Sequence, residues 1–255
     1  MSTHLVIPDV QVKDGVPTKH LKALGKFIVD KQPDKIICLG DFADMPSLSS
    51  YDKGHRSFEG RRYRKDTQAA VAAMETLLQP LHELQEHQRR NKVKIYKPEM
   101  TMILGNHENR IDRATELSPE YDGVISMRDL EYEEFGWKVI PFLQTYFIDG
   151  VGYVHYVKNR NSNNPKASVR AAVLDLMHSV TCGHKPTLDV FCHFTGDGRQ
   201  VWGVQAGAYY MHDEEYRAGL GNEHWRGVIW KDNVRNGEYD PTFITLGNLI
   251  KEYGE

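Results

Sequence analysis

Lys35-Ile36-Ile37-Cys38-Leu39-Gly40-Asp41-Phe42-Ala43-Asp44 is an apolar run that breaks off into a glycine and two carboxylates. Four apolar residues in succession read as a buried strand. Upstream, Leu5-Val6-Ile7 is a second short apolar run, ending at Pro8-Asp9. Between them, Thr18 to Lys31 carries Leu21, Leu24, Phe27 and Ile28 at helical spacing, with Thr18 as a cap and Pro33-Asp34 as the break. Two buried strands joined by a helix are expected to lie parallel, with their outgoing loops at one edge of the sheet. Functional side chains are therefore expected just after each strand.

Residues 45 to 65 are polar and irregular, and Asp66 to about Arg90 reads as a long helix with an Ala/Leu/Met stripe. Met100 to Leu104 is a further strand, followed by a Gly-Asn-His turn and a helix from about Glu108. Short strands are expected at Trp137–Ile140, Gln144–Ile148, Val151–His155 and Val180–Cys182, and a helix at Lys166–His178. The last sixty residues alternate β-like runs with glycine, which suggests an antiparallel sheet edge. The whole reads as an α/β sandwich: βα units first, then a second sheet. With no repeat or long linker, residues 1–255 are expected to form one domain, with 45–65 a basic loop insertion.

Composition narrows the function classes. The chain is 40% apolar and 26% charged, as ordinary globular proteins are. Lys plus Arg number 32 against 35 Asp plus Glu, a net charge of −3, which excludes a polybasic protein but not a local basic patch. No apolar run reaches the roughly 18–20 residues of a membrane span, and the start of the chain lacks a secretory pattern. Cys38, Cys182 and Cys192 sit among apolar residues and read as buried thiols in a reducing cytoplasm. Twelve histidines hint at metal chemistry.

Five segments end strands with metal-ligand side chains: Asp9-Val10-Gln11, Gly40-Asp41-Phe42-Ala43-Asp44, Gly105-Asn106-His107-Glu108, His155, and Gly183-His184. One Gly-Asp or Gly-His after a strand is usually only a turn; five in this order are not. The order resembles the calcineurin-like metallophosphoesterase superfamily. Ser57-Phe58-Glu59-Gly60-Arg61-Arg62-Tyr63 and Asn222-Glu223-His224-Trp225-Arg226-Gly227 look like stretches of bacteriophage-encoded members. The resemblance implies a four-layer α/β/β/α sandwich of two mixed sheets. It implies Asp41 as the carboxylate bridging two divalent ions, with Asn106, His155 and His184 completing the second site. It implies His107 as the acid at the leaving oxygen, oriented by Asp44, and attack on phosphorus by a metal-bound hydroxide. Two imidazoles, an amide and a carboxylate suit Mn²⁺, Fe²⁺ or Zn²⁺ better than Ca²⁺.

The first metal site departs from that pattern. Asp9 is kept, but Gln11 stands where the family usually has histidine, and Pro186 where a second histidine follows Gly-His. Either the ion there is weakly held and harder, Mn²⁺ or Mg²⁺, or His193 or His212 fills in.

The loop from Lys53 to Lys65 holds Lys53, Arg56, Arg61, Arg62, Arg64 and Lys65, interleaved with Tyr51, Phe58 and Tyr63. A charge run is usually a solvated face, but this one leaves directly from Asp41 and Asp44. Arg61 and Arg62, with Arg110, are candidate phosphate clamps, and the aromatics could stack on a base. Met45-Pro46 stands where a Ser/Thr phosphatase of the superfamily shows Arg-Gly, which counts against a protein substrate. The expected activity is hydrolysis of a phosphodiester or phosphomonoester, a nuclease or nucleotidase using manganese or a similar ion. Its substrate would be DNA, RNA or a nucleotide in the cytoplasm of a phage's host, with no membrane partner. The alternative is a metal-impaired relative that serves as a protein-binding scaffold.

Overall fold

The computed structural model describes residues 1–50, 54–212 and 224–254. β1 (Ser2–Ile7), β2 (Lys35–Cys38), β3 (Glu99–Ile103) and β4 (Lys138–Ile140) run parallel in one sheet. β10 (Gly227–Arg235) and β11 (Glu238–Thr245) extend it antiparallel beyond β1, giving the order β11-β10-β1-β2-β3-β4. The second sheet has the order β5-β6-β7-β9-β8. In it β6 (Val151–Val154), β7 (Val180–Cys182) and β9 (Gln200–Ala206) are parallel, flanked by antiparallel β5 (Tyr146–Ile148) and β8 (Leu188–Phe194).

Three apolar cores separate four layers. Leu5, Ile7, Ile36 and Met102 meet Leu21, Leu24 and Ile28 of α1 (Lys19–Lys31) and Met74, Leu77 and Leu78 of α2 (Tyr63–Arg90). On the opposite face of the same strands, Val6, Ile37 and Ile103 meet Tyr153, Val204 and Ala206 between the sheets. Beyond the second sheet, Val180, Cys182 and Val201 pack on Ala172 and Val173 of α4 (Val169–Leu176). Strands buried on both faces need continuous apolar runs, which is why Val6-Ile7 and Ile36-Ile37-Cys38 carry no polar alternation. The architecture is the four-layer α/β/β/α sandwich of two mixed sheets that the strand-end motifs implied.

Several boundaries differ from the sequence expectation. α2 begins at Tyr63, so the end of the expected basic loop is its first turn; 3-10 turns at Pro46–Leu48 and Arg56–Phe58 give the rest some order. Thr18 precedes α1 without a side-chain capping bond, and α3 (Arg110–Leu117) starts later than Glu108 because that glutamate is used elsewhere. The last third is not one antiparallel edge. β9 runs parallel to β7, and β10 returns to the first sheet beside β1. The chain there closes with α5 (Leu246–Tyr253), hidden behind Gly247 and Asn248 and held by Leu246 and Leu249 in the core and Tyr253 edge-on to Phe27. Cys192 is exposed rather than buried, because β8 is an edge strand. No helix among the described residues is long and apolar enough to cross a membrane.

Candidate metal centre

Seven parallel strands, β1 to β4 of one sheet and β6, β7 and β9 of the other, end at one edge of the sandwich, and every strand-end segment singled out in the sequence lies there. The loops lock to one another through their backbones. Asp41 Oδ1 accepts a hydrogen bond from the His107 N–H at 2.8 Å, and Asp9 Oδ1 accepts one from the His184 N–H at 2.9 Å. The Val10 and Gln11 N–H groups both donate to the Asp41 carbonyl, at 3.1 and 2.8 Å. A Cβ on Gly105 would lie 2.1 Å from Asp41 Oδ1, and one on Gly183 2.6 Å from Asp9 Oδ1. Glycine at these two places is what lets the carboxylates lie against the neighbouring loop. Gln11, Asp41 and His184 have φ of 48°, 48° and 72°, left-handed backbone that side chains adopt at a cost and that clusters at working sites.

Glu108, wholly buried, holds the Asp41 turn in this conformation. Its carboxylate accepts from the N–H groups of Asp41 (2.9 Å), Ala43 (3.0 Å) and Gly105 (2.9 Å), and from the Tyr132 hydroxyl at 3.3 Å. Gln205 does the same for the other side, its amide donating to the carbonyls of Cys182, Gly183 and Lys185. Glu108 stood inside a motif already marked, yet its partners come from three separate turns, so spacing alone could not show its role. Lys13, which no motif in the sequence marks, also reaches this site: its ammonium lies 3.8 Å from Asp44 Oδ2.

His155 Nε2 lies 2.9 Å from Asn106 Oδ1 and 3.3 Å from Asp41 Oδ2, while its Nδ1 is 2.8 Å from the Leu39 carbonyl. The carbonyl can only accept, so Nδ1 carries the proton and a neutral ring would point the Nε2 lone pair at two further acceptors. Three acceptors facing one another need a proton or a cation between them. His184 Nδ1 lies 2.8 Å from the same Asn106 oxygen, and the ligand atoms of Asp41, His155 and His184 lie within 4.8 Å of one another. This donor set fits a divalent metal, and Asp41, His155 and His184 form a possible metal site. Ionisable groups bear the same mark. Burial opposes the charge on Asp41, yet the imidazoles of His107 and His155 outweigh it and hold the carboxyl far below its usual range. Burial pushes the Asp9 carboxyl up, and nearby Asp41 adds to that.

His107 Nδ1 is 2.7 Å from Asp44 Oδ1, and Nε2 faces Asp41 Oδ2 at 3.7 Å. Burial would favour the neutral ring, but the carboxylates of Asp41 and Asp44 prevail and raise its pKa. Arg110 donates to the carbonyls of Asp44 (2.7 Å) and Met45 (3.3 Å) and sits 3.6 Å from the Asp44 carboxylate. Arg61 donates to the Pro46 carbonyl at 3.2 Å over the Phe58 ring; Arg62 is exposed and donates to the Arg61 carbonyl at 2.8 Å. Tyr63 is committed to the fold, its hydroxyl donating to Asp129 at 2.6 Å. Tyr51, Lys53, Asn222 and Glu223 lie outside the described residues. Gln11 is half-buried beside Asp41, and the Pro186 carbonyl accepts the Trp225 N–H at 2.9 Å. His193 does not approach: it pairs with Val201, five residues before Ala206 at the site end of β9, roughly 17 Å away at 3.3 Å per residue. His212 stacks on Tyr210 with ring centroids 4.7 Å apart.

The Gene 54 protein of Mycobacterium phage L5 is 25% identical over 215 residues, 80% of this chain and 77% of that one. The Gene 54 protein of Mycobacterium phage D29 is 30% identical over 142 residues, 54% of this chain and 50% of that one. Among solved structures, Vps29 of Chaetomium thermophilum aligns over 96% of this chain and 99% of its own, with a TM-score of 0.40 and 13% identity. The family model for calcineurin-like phosphoesterases matches residues 3–223, a span that takes in every strand end feeding the cluster; the chain belongs to that family of metal-binding phosphoesterases.

Proposed function

We propose that the chain is a divalent-metal-dependent hydrolase of phosphodiester or phosphomonoester bonds in nucleic acid or nucleotides, with residues 1–255 one catalytic unit and 45–65 its basic insertion. The observation that carries this reading is the meeting of Asp41 Oδ2, Asn106 Oδ1 and His155 Nε2 as mutual acceptors. In this reading Asp41, Asn106, His155 and His184 hold one ion, and Asp9, Gln11 and Asp41 a weaker second. The mixed nitrogen and oxygen set suits Mn²⁺, Fe²⁺ or Zn²⁺, and the oxygen-only set Mn²⁺ or Mg²⁺. Bound there, such ions polarise a phosphoryl oxygen and lower the pKa of water.

The remaining steps belong to side chains. Asp44 fixes the His107 ring through Nδ1 and favours its charged form, so Nε2 holds a proton for the departing oxygen. Arg110 and Lys13 hold Asp44 in place and, with Arg61 and Arg62, supply positive charge for the substrate's phosphates. A net charge of −3 with one basic loop favours a nucleotide or a single strand over duplex DNA, which demands many phosphate contacts. The phage relatives support action in the host cytoplasm.

Metal analysis with a bis-p-nitrophenyl phosphate assay in Mn²⁺ tests this. Turnover that chelator abolishes and Mn²⁺ restores is the expected result; a metal-free, inert protein contradicts it. Gln11 and Pro186 favour a second reading, a scaffold that has lost its first metal position. On that reading Asp41→Asn and His107→Ala match the parent in every assay.

A further inference from the structure

Four strands lie at sheet edges: β4, β5, β8 and β11. Exposed edges invite pairing with another chain, and proteins blunt them with short strands, prolines or lysines. β4 and β5 are three residues long, and β11 carries Pro241. β8 has none of these devices. It runs seven residues, Leu188-Asp189-Val190-Phe191-Cys192-His193-Phe194, and among the described residues no backbone group pairs with its outer side. On one face Val190 is 40% and Phe194 65% exposed, with Cys192 exposed between them. On the other, Phe191 turns towards α4 beneath the Arg170 guanidinium, and His193 stacks on it at 6.0 Å.

We propose that β8 is a dimer seam, pairing antiparallel with β8 of a second copy and joining two five-stranded sheets into one of ten. The order of residues argues for a second copy. A two-fold axis normal to the sheet must pass through one residue of the strand, because directly opposed residues share a face. Through Phe191, all seven residues find partners: Asp189 meets His193, Leu188 meets Phe194, and Val190 meets Cys192. Carboxylate thus faces imidazole and apolar faces apolar, the pairings that favour a register. An axis through Val190 or Cys192 loses the Asp189–His193 pair.

The test is sedimentation of the full chain across the micromolar range, beside Val190→Lys and Val190→Cys. A dimer is expected for the parent. Val190→Lys weakens it roughly tenfold or more, with metal content unchanged and the thermal midpoint equal to the parent's at dilutions where both are monomeric. Opposed strand residues lie within disulfide reach, so Val190→Cys joins native Cys192 of the second copy on mild oxidation. Val190→Cys/Cys192→Ser does not. A parent that stays monomeric throughout overturns the proposal. So does a dimer indifferent to Val190→Lys, or a Val190→Cys protein that never cross-links.

Discussion

His107 Nδ1 and Asp44 Oδ1 stand 2.7 Å apart, a contact between the turns after β3 and β2 that fixes which ring nitrogen faces the cluster. Removing the ring removes a proton donor but no ligand of the proposed ion. His107→Ala is expected to slow turnover by roughly 10²–10⁴ with metal content unchanged. Asp44→Asn should lose less, and the loss should grow as the leaving group becomes more basic. Rates on a series of aryl phosphates, with metal counted in each variant, check both.

Glu108 stabilises the same turn without touching substrate. Glu108→Ala leaves the N–H groups of Asp41, Ala43 and Gly105 buried and unpaired. At about 1–3 kcal/mol for each such group, a loss of roughly 3 kcal/mol or more is expected. Urea unfolding of the metal-free protein measures it.

Two glycine substitutions should move stability in opposite directions. Gly105→Ala drives a methyl to within 2.1 Å of Asp41 Oδ1, so both folding stability and metal affinity should fall. Gly247→Ala, in α5 with nothing within 4 Å of the new carbon, should stabilise by about 0.5–1 kcal/mol. Thermal midpoints of the two variants decide this.

Acid should destabilise the fold over a defined range. Burial lowers the imidazole of His4 to about 4, and that of His20 likewise to about 4. Between that value and the ordinary 6.5 the unfolded chain binds more protons, so stability falls as pH drops from about 6.5 to 4 and is unaffected by these groups above. Each contributes up to about 1.4 kcal/mol per pH unit. His20→Gln should remove its own share of that slope, up to about 1.4 kcal/mol per pH unit, which unfolding of parent and variant at a series of pH values would show.

Local physics writes itself into the sequence; contacts between distant segments do not. Buried parallel strands need unbroken apolar runs, so the ends of β1, β2, β3, β6 and β7 were legible, and with them Asp9, Asp41, Asn106, His155 and His184. Their convergence then followed from the rule that parallel strands share an outgoing edge. What stayed hidden depends on contacts between distant segments. Glu108 serves three turns, and α5 owes its existence to packing on α1. β10 returns to the first sheet because its apolar faces complete two cores, Val228 in one and Ile229 in the other. His193 carried no sign that β8 runs away from the cluster rather than along it.

Diffraction from a Mn²⁺-soaked crystal, recorded for anomalous signal, addresses the central claim most directly. A peak held jointly by Asp41, Asn106, His155 and His184, and missing in His184→Ala, is the predicted result. Density without a peak among those four side chains, or a His184→Ala protein that binds Mn²⁺ as the parent does, would contradict it.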